Sequence, residues 1–94
     1  MVKHIVVYKR KEDVEVEAAV SLIASVLEPL VGQIPGLLHM EIRQTYQGGM
    51  DYALYSEFES KQALADYAEH PLHVAAKEKF FHLLASRVAA DYEC

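Results

Sequence analysis

The stretch from Val2 to Tyr8, V-K-H-I-V-V-Y, limits the fold more than any other. It is short, rich in β-branched residues and followed by the charged run from Lys9 to Asp13, so it reads as a strand. Alternation places Ile5 and Val7 on one side and His4, Val6 and Tyr8 on the other. Both sides are largely apolar and both need cover. The chain has 94 residues, which makes one domain over residues 1–94 and leaves no room for a second.

From Val16 the period changes. Val16, Val20, Ile23, Leu27 and Leu30 recur at helical spacing, with Glu15 and Glu17 favourably placed in the first turn. Pro29 should kink or stop this helix, and Gly32 with Ile34 to Gly36 marks the turn that follows. Leu37 to Tyr46 then alternates Leu38, Met40 and Ile42 against His39, Glu41 and Arg43, giving a second strand. Gln47, Gly48 and Gly49 form a hairpin turn into a third strand, about Asp51 to Phe58, where Tyr52, Leu54 and Phe58 alternate with Ala53, Tyr55 and Glu57. Ser60 is an N-cap for a helix over Lys61 to Glu69. A further helix is expected from Leu72 to about Ser86, and Arg87 to Tyr92 closes the chain as a strand with Val88, Ala90 and Tyr92 on one side.

The order strand, helix, strand, strand, helix pair, strand is that of an α+β, ferredoxin-like antiparallel four-stranded sheet with its helices on one face. If those helices cover Ile5 and Val7, the open face carries Val6, Tyr8, Ala53 and Tyr55. A soluble monomer rarely exposes such a patch. A second copy is therefore expected to pack sheet to sheet, forming a dimeric α/β barrel. His4 and some of His39, Glu41 and Arg43 would point into the cavity between the copies. Which polar residues face inward stays open, because a one-residue slip reverses a strand's faces.

The chemically capable residues cluster from Ala63 to Val74, where Asp66, Tyr67, His70 and His73 fall within eight residues around Pro71. Proline ends the incoming helix near His70, and the next helix places His73, Ala76, Phe80 and Leu84 on one stripe. His73 and Tyr67 thus converge on a buried edge, a pair able to exchange a proton near neutral pH. The plainer alternative makes Tyr67 a core aromatic and the histidines caps for backbone groups. Asp66, His70 and His73 have helical ligand spacing, yet Pro71 should turn His70 outward and His73 inward, so no metal site is expected.

A net charge of -5 argues against a nucleic-acid surface, since the only basic cluster is Lys9, Arg10 and Lys11. The single cysteine, Cys94, leaves no disulfide framework and no cysteine metal set. Ile5 to Tyr8 is too short for a signal-peptide core or a membrane span. A cytoplasmic setting without membrane partners is expected.

With these residues laid out, the chain resembles the stress-responsive dimeric A/B barrel (Dabb) family along nearly its whole length. The resemblance is carried by V-K-H-I-V-V-Y-K, I-P-G-L, S-E-F-E-S, the corner Y-A-E-H-P-L-H-V and the late D-Y. It implies a ferredoxin-like protomer and a homodimer. Some plant members of that family are polyketide cyclases that close a ring by intramolecular aldol condensation. In these the second histidine of His-Pro-x-His is the acid/base, with a nearby tyrosine, and the first-strand histidine shares the cavity. Carried over, these are His73, Tyr67 and His4. The first helix offers Leu27 and Val31 but no tyrosine toward the cavity, which argues against a polyketide-sized polar substrate.

The reading that follows is a cofactor-independent enzyme on a small apolar carbonyl compound, catalytic through His73 and Tyr67. His4, Tyr8, Tyr55 and His70 are the expected substrate-binding residues. One alternative is a non-catalytic ligand-binding or stress-protective dimer. Another is an enzyme like the antibiotic-biosynthesis monooxygenases, which share the dimeric barrel.

Overall fold

The computed structural model describes residues 1–94. Strand β1 spans Val2–Arg10, helix α1 Val16–Leu27, β2 Leu37–Gln44, β3 Tyr52–Phe58, α2 Lys61–Glu69, α3 Pro71–Glu78 and β4 Leu84–Glu93. Single 3₁₀ turns at Glu28–Leu30 and Phe81–Leu83 follow α1 and α3. The strands form one antiparallel sheet in the order β2-β3-β1-β4. This is the ferredoxin-like α+β arrangement expected from the order of elements.

Local chemistry accounts for most boundaries. The Ser60 hydroxyl accepts from the Ala63 N–H at 3.1 Å, so α2 starts where its cap allows. At its other end Pro71 cannot continue a helix, and His70 takes extended backbone geometry between α2 and α3. Pro29 falls in the 3₁₀ turn that ends α1.

The helices bury one face of the sheet. Val2, Val6 and Tyr8 of β1 lie there with Tyr52, Leu54 and Phe58 of β3 and Met40 and Ile42 of β2, packed under Ile23, Leu27, Ala76 and Phe80. The faces of β1 are thus the reverse of the sequence expectation. Val6 and Tyr8 are covered, while Ile5 and Val7 lie on the open face beside their cross-strand partners Tyr55 and Ala53. His4 accordingly sits on the helix side, not on the face that would meet a second sheet. Both sides of β1 carry valines and an aromatic or aliphatic partner, so hydropathy alone gave no sign of which side the helices take.

The remainder of the open face is part apolar and part charged. Val88, Ala90 and Tyr92 of β4 pair with Val7, Ile5 and Lys3, and Val88 and Tyr92 remain 61% and 51% exposed. Beyond β3, His39, Glu41 and Arg43 share this face, as their alternation indicated. Glu57 bonds to Lys3 and to the Tyr55 hydroxyl, and Arg43 pairs with Glu28 and Glu41.

Helix α3 ends at Glu78, not near Ser86, and β4 begins at Leu84, three residues before the expected Arg87. Phe80 and Leu84 still reach inward, now from a turn and a strand start. Their helical spacing with Ala76 reflects burial that the chain achieves by another path.

Candidate functional site

On the helix side of the sheet, β1, β3, β4 and all three helices enclose a cavity of about 180 Å³. Its chemistry comes from His4 and Tyr8 of β1, Tyr67 of α2, His73 and Lys77 of α3, and Arg87 of β4. Leu27, Leu54, Phe80 and Phe81 supply apolar wall.

The Pro71 corner sets the central pair. Because α2 stops and α3 turns back, the Tyr67 and His73 rings stack with centroids 3.9 Å apart and planes 28° apart. Phe58 also packs against Tyr67, with ring centroids 5.0 Å apart and planes tilted by 60°. The His73 Nδ1 lies 3.4 Å from the Ala68 carbonyl oxygen, so Nδ1–H donates there and Nε2 keeps its lone pair. Burial, with help from the Lys77 charge and against the Ala68 hydrogen bond, depresses the imidazole to about 4. His73 is therefore neutral at physiological pH.

Burial acts in the opposite sense on the phenols. Tyr67 is raised well above the ordinary tyrosine value, and Tyr8 is pushed up to about 12 despite the nearby Arg87 charge. Both stay protonated and can donate hydrogen bonds to an oxygen in the cavity. His4 reaches the same space with its Nδ1 hydrogen-bonded to the Asp91 carboxylate, across the β1–β4 register. That contact fixes the orientation of the ring.

Four of the six residues singled out in the sequence, His73, Tyr67, His4 and Tyr8, come together in this cavity. Tyr55 and His70 do not. Tyr55 lies on the opposite sheet face, bonded to Lys3 and Glu57, because the β3 alternation that buries Leu54 turns it away. His70 caps α3, its Nδ1 accepting from the Leu72 N–H at 3.1 Å. Asp66 bonds to Gln62, and Asp66, His70 and His73 do not converge as ligands. Two lining residues, Lys77 and Arg87, went unrecognised, as did Asp91, which holds His4. Lys77 follows His73 by one helical turn and was legible from that spacing. Arg87 and Asp91 depend on the pairing of β4 with β1, which local pattern does not reveal.

An open-faced ferredoxin-like protomer with a tyrosine–histidine cavity under its helices defines the class of protein. The chain matches the stress-responsive A/B barrel domain over residues 2–94 and belongs to that family. Two Arabidopsis thaliana proteins with this domain are similar to it. One is 31% identical across 96% of this chain and 83% of its own length. The other is a longer protein, 28% identical across 98% of this chain, which spans only 36% of that relative's length. A dimeric ferredoxin-like protein of unknown function from Bacteroides fragilis is 35% identical with a TM-score of 0.87, covering 99% of this chain and 95% of that one. The hydroxynitrile lyase of Passiflora edulis, at 18% identity, TM-score 0.82 and coverage of 97% and 90%, shares the fold alone.

Proposed function

We propose that this chain is a cofactor-independent acid/base enzyme acting on a small, largely apolar carbonyl compound, and that it works as a homodimer in the cytoplasm. The observation that carries the reading is the stacked Tyr67–His73 pair, with a free Nε2 and a protonated phenol, at one cavity. Neutral His73 takes a proton from the carbon alpha to the carbonyl. The enolate oxygen that develops is stabilised by the Tyr67 hydroxyl, with the Tyr8 hydroxyl as a further donor. The cavity lies below the ~300 Å³ floor of drug-sized pockets, which favours a small substrate. Dimerisation is supported by the apolar residues of the open sheet face and by the dimeric description of the Bacteroides fragilis relative. No helix is long and apolar enough to cross a membrane.

The test is exchange of the methyl protons of acetophenone in D2O, followed by NMR. The native protein should accelerate exchange over buffer, His73→Ala should abolish the acceleration, and Tyr67→Phe should slow it by about 10- to 100-fold. One observation favours a second reading. An imidazole held near 4 is a weak base, which suits a cavity that binds a ligand without turning it over. If the native protein gives no exchange above buffer, the catalytic reading fails and the binding reading stands.

A further inference from the structure

The lining of the cavity departs from the charge balance of the chain. The sequence has 14 acidic and 9 basic residues, yet the cavity is lined by two fixed cations, Lys77 and Arg87, and by no carboxylate. Neither cation lies within ion-pair distance of any acidic side chain. Asp91, the carboxylate of the adjacent strand, is engaged by His4 and does not line the cavity. Lys77 approaches from α3, one turn beyond His73, with its ammonium 5.3 Å from the Phe81 ring centroid. Arg87 approaches from β4, directly across from Tyr8 in the strand register. The two come from different elements and line the same largely apolar cavity.

We propose that this cavity takes a small apolar carboxylate, with Arg87 and Lys77 holding the anion and the aromatic wall holding the remainder. This rests on the reading of the cavity as the ligand site and adds the charge class of the ligand to it. A guanidinium binds a carboxylate through two parallel hydrogen bonds, and an ammonium adds a point charge from the other wall. The aromatic rings select an unsaturated or cyclic body. Bound there, the carboxylate places the rest of the molecule within reach of Tyr67 and His73.

The probes are benzoate, its neutral isostere benzamide, and inorganic phosphate, each titrated calorimetrically into the full chain and followed by NMR on the Tyr67 and His73 ring signals. Benzoate should bind at least about tenfold more tightly than benzamide, shift both rings, and weaken as salt rises. Arg87→Leu combined with Lys77→Met should remove that preference, bringing benzoate and benzamide to within about twofold of each other, whereas Arg87→Lys should retain part of it. Circular dichroism and melting of each variant establish that it is folded, which is expected because Arg87 is exposed. The proposal is overturned if benzamide binds as well as benzoate, if the double variant keeps the preference, if phosphate competes as effectively as benzoate, or if benzoate does not bind at millimolar concentration. Selective benzoate binding without acetophenone exchange would sink catalysis alone. Exchange without benzoate selectivity would sink the anion alone.

Discussion

His73 carries a consequence for stability as well as for chemistry. In the unfolded chain its imidazole titrates near 6.5, whereas burial in the fold holds it to about 4. As pH falls between those values the unfolded chain takes up a proton that the folded chain refuses, so stability drops across that window. Above about 6.5 there is no penalty, and below about 4 both states are protonated and the loss is complete. His73→Phe keeps a ring against Tyr67 and has no proton to bind, so its Tm should fall less than that of the native protein between about pH 7 and pH 4.5. Thermal melts across that range check this, and parallel curves for the two proteins would show that His73 is not buried as a neutral ring. The Tyr67–His73 pair was legible in the sequence because every step that brings it together is local: a cap at Ser60, a break at Pro71, and a ring side chain shortly before and shortly after that break. The Asp91 contact to His4 was not, because it joins residues 87 apart and depends on strand register.

The packing of elements rests on turns that admit only small residues. Gly36 has φ of +85°, and a Cβ placed there would stand 2.6 Å from the Ala63 Cβ in the first turn of α2. Gly48, in the β2–β3 turn, has φ of +105° but open space around it. Substituting alanine at Gly48 therefore costs backbone strain alone, about 1 kcal/mol, while Gly36→Ala adds a steric clash and should cost roughly 2–4 kcal/mol. The difference should appear as a Tm gap on the order of 4–8 °C for each kcal/mol in a domain of this size. Equal losses for the two variants would mean that α2 moves aside freely. The I-P-G turn was visible in the sequence, but its contact with Ala63 was not. The same limit explains the end of α3. Ala76, Phe80 and Leu84 keep helical spacing, so the pattern reads on past Glu78, where the chain has already left the helix for a 3₁₀ turn and an edge strand.

At the scale of the whole molecule, the sequence made clear that one sheet face lacks cover and that Ala53 and Tyr55 lie on it, but not which side of β1 joins them. Ile5, Val7 and Ala53 are half-buried on that face, and β4 is exposed along nearly its whole length, with Val88 at its centre. A patch of this kind is stable in water when another apolar surface covers it, and an obligate homodimer buries on the order of 2,000 Å² or more in total. The charges that share the face, Lys3 with Glu57 and Arg43 with Glu28 and Glu41, already have partners within the protomer, so they can be covered without leaving an unpaired ion. The native protein should therefore sediment as a dimer, and its Tm should rise with concentration because association stabilises the folded chain. Val88→Asp tests the face directly. The side chain is exposed in the protomer and supports no core residue, so a carboxylate there leaves the isolated fold intact while placing an unpaired charge in the middle of the interface. Sedimentation equilibrium should find the variant monomeric at concentrations where the native chain is a dimer, with its far-UV spectrum unchanged and its Tm lower and no longer dependent on concentration. A native chain that stays monomeric at high concentration, or a Val88→Asp chain that stays dimeric, would mean that the open face meets water and that the cavity under the helices works within a single protomer.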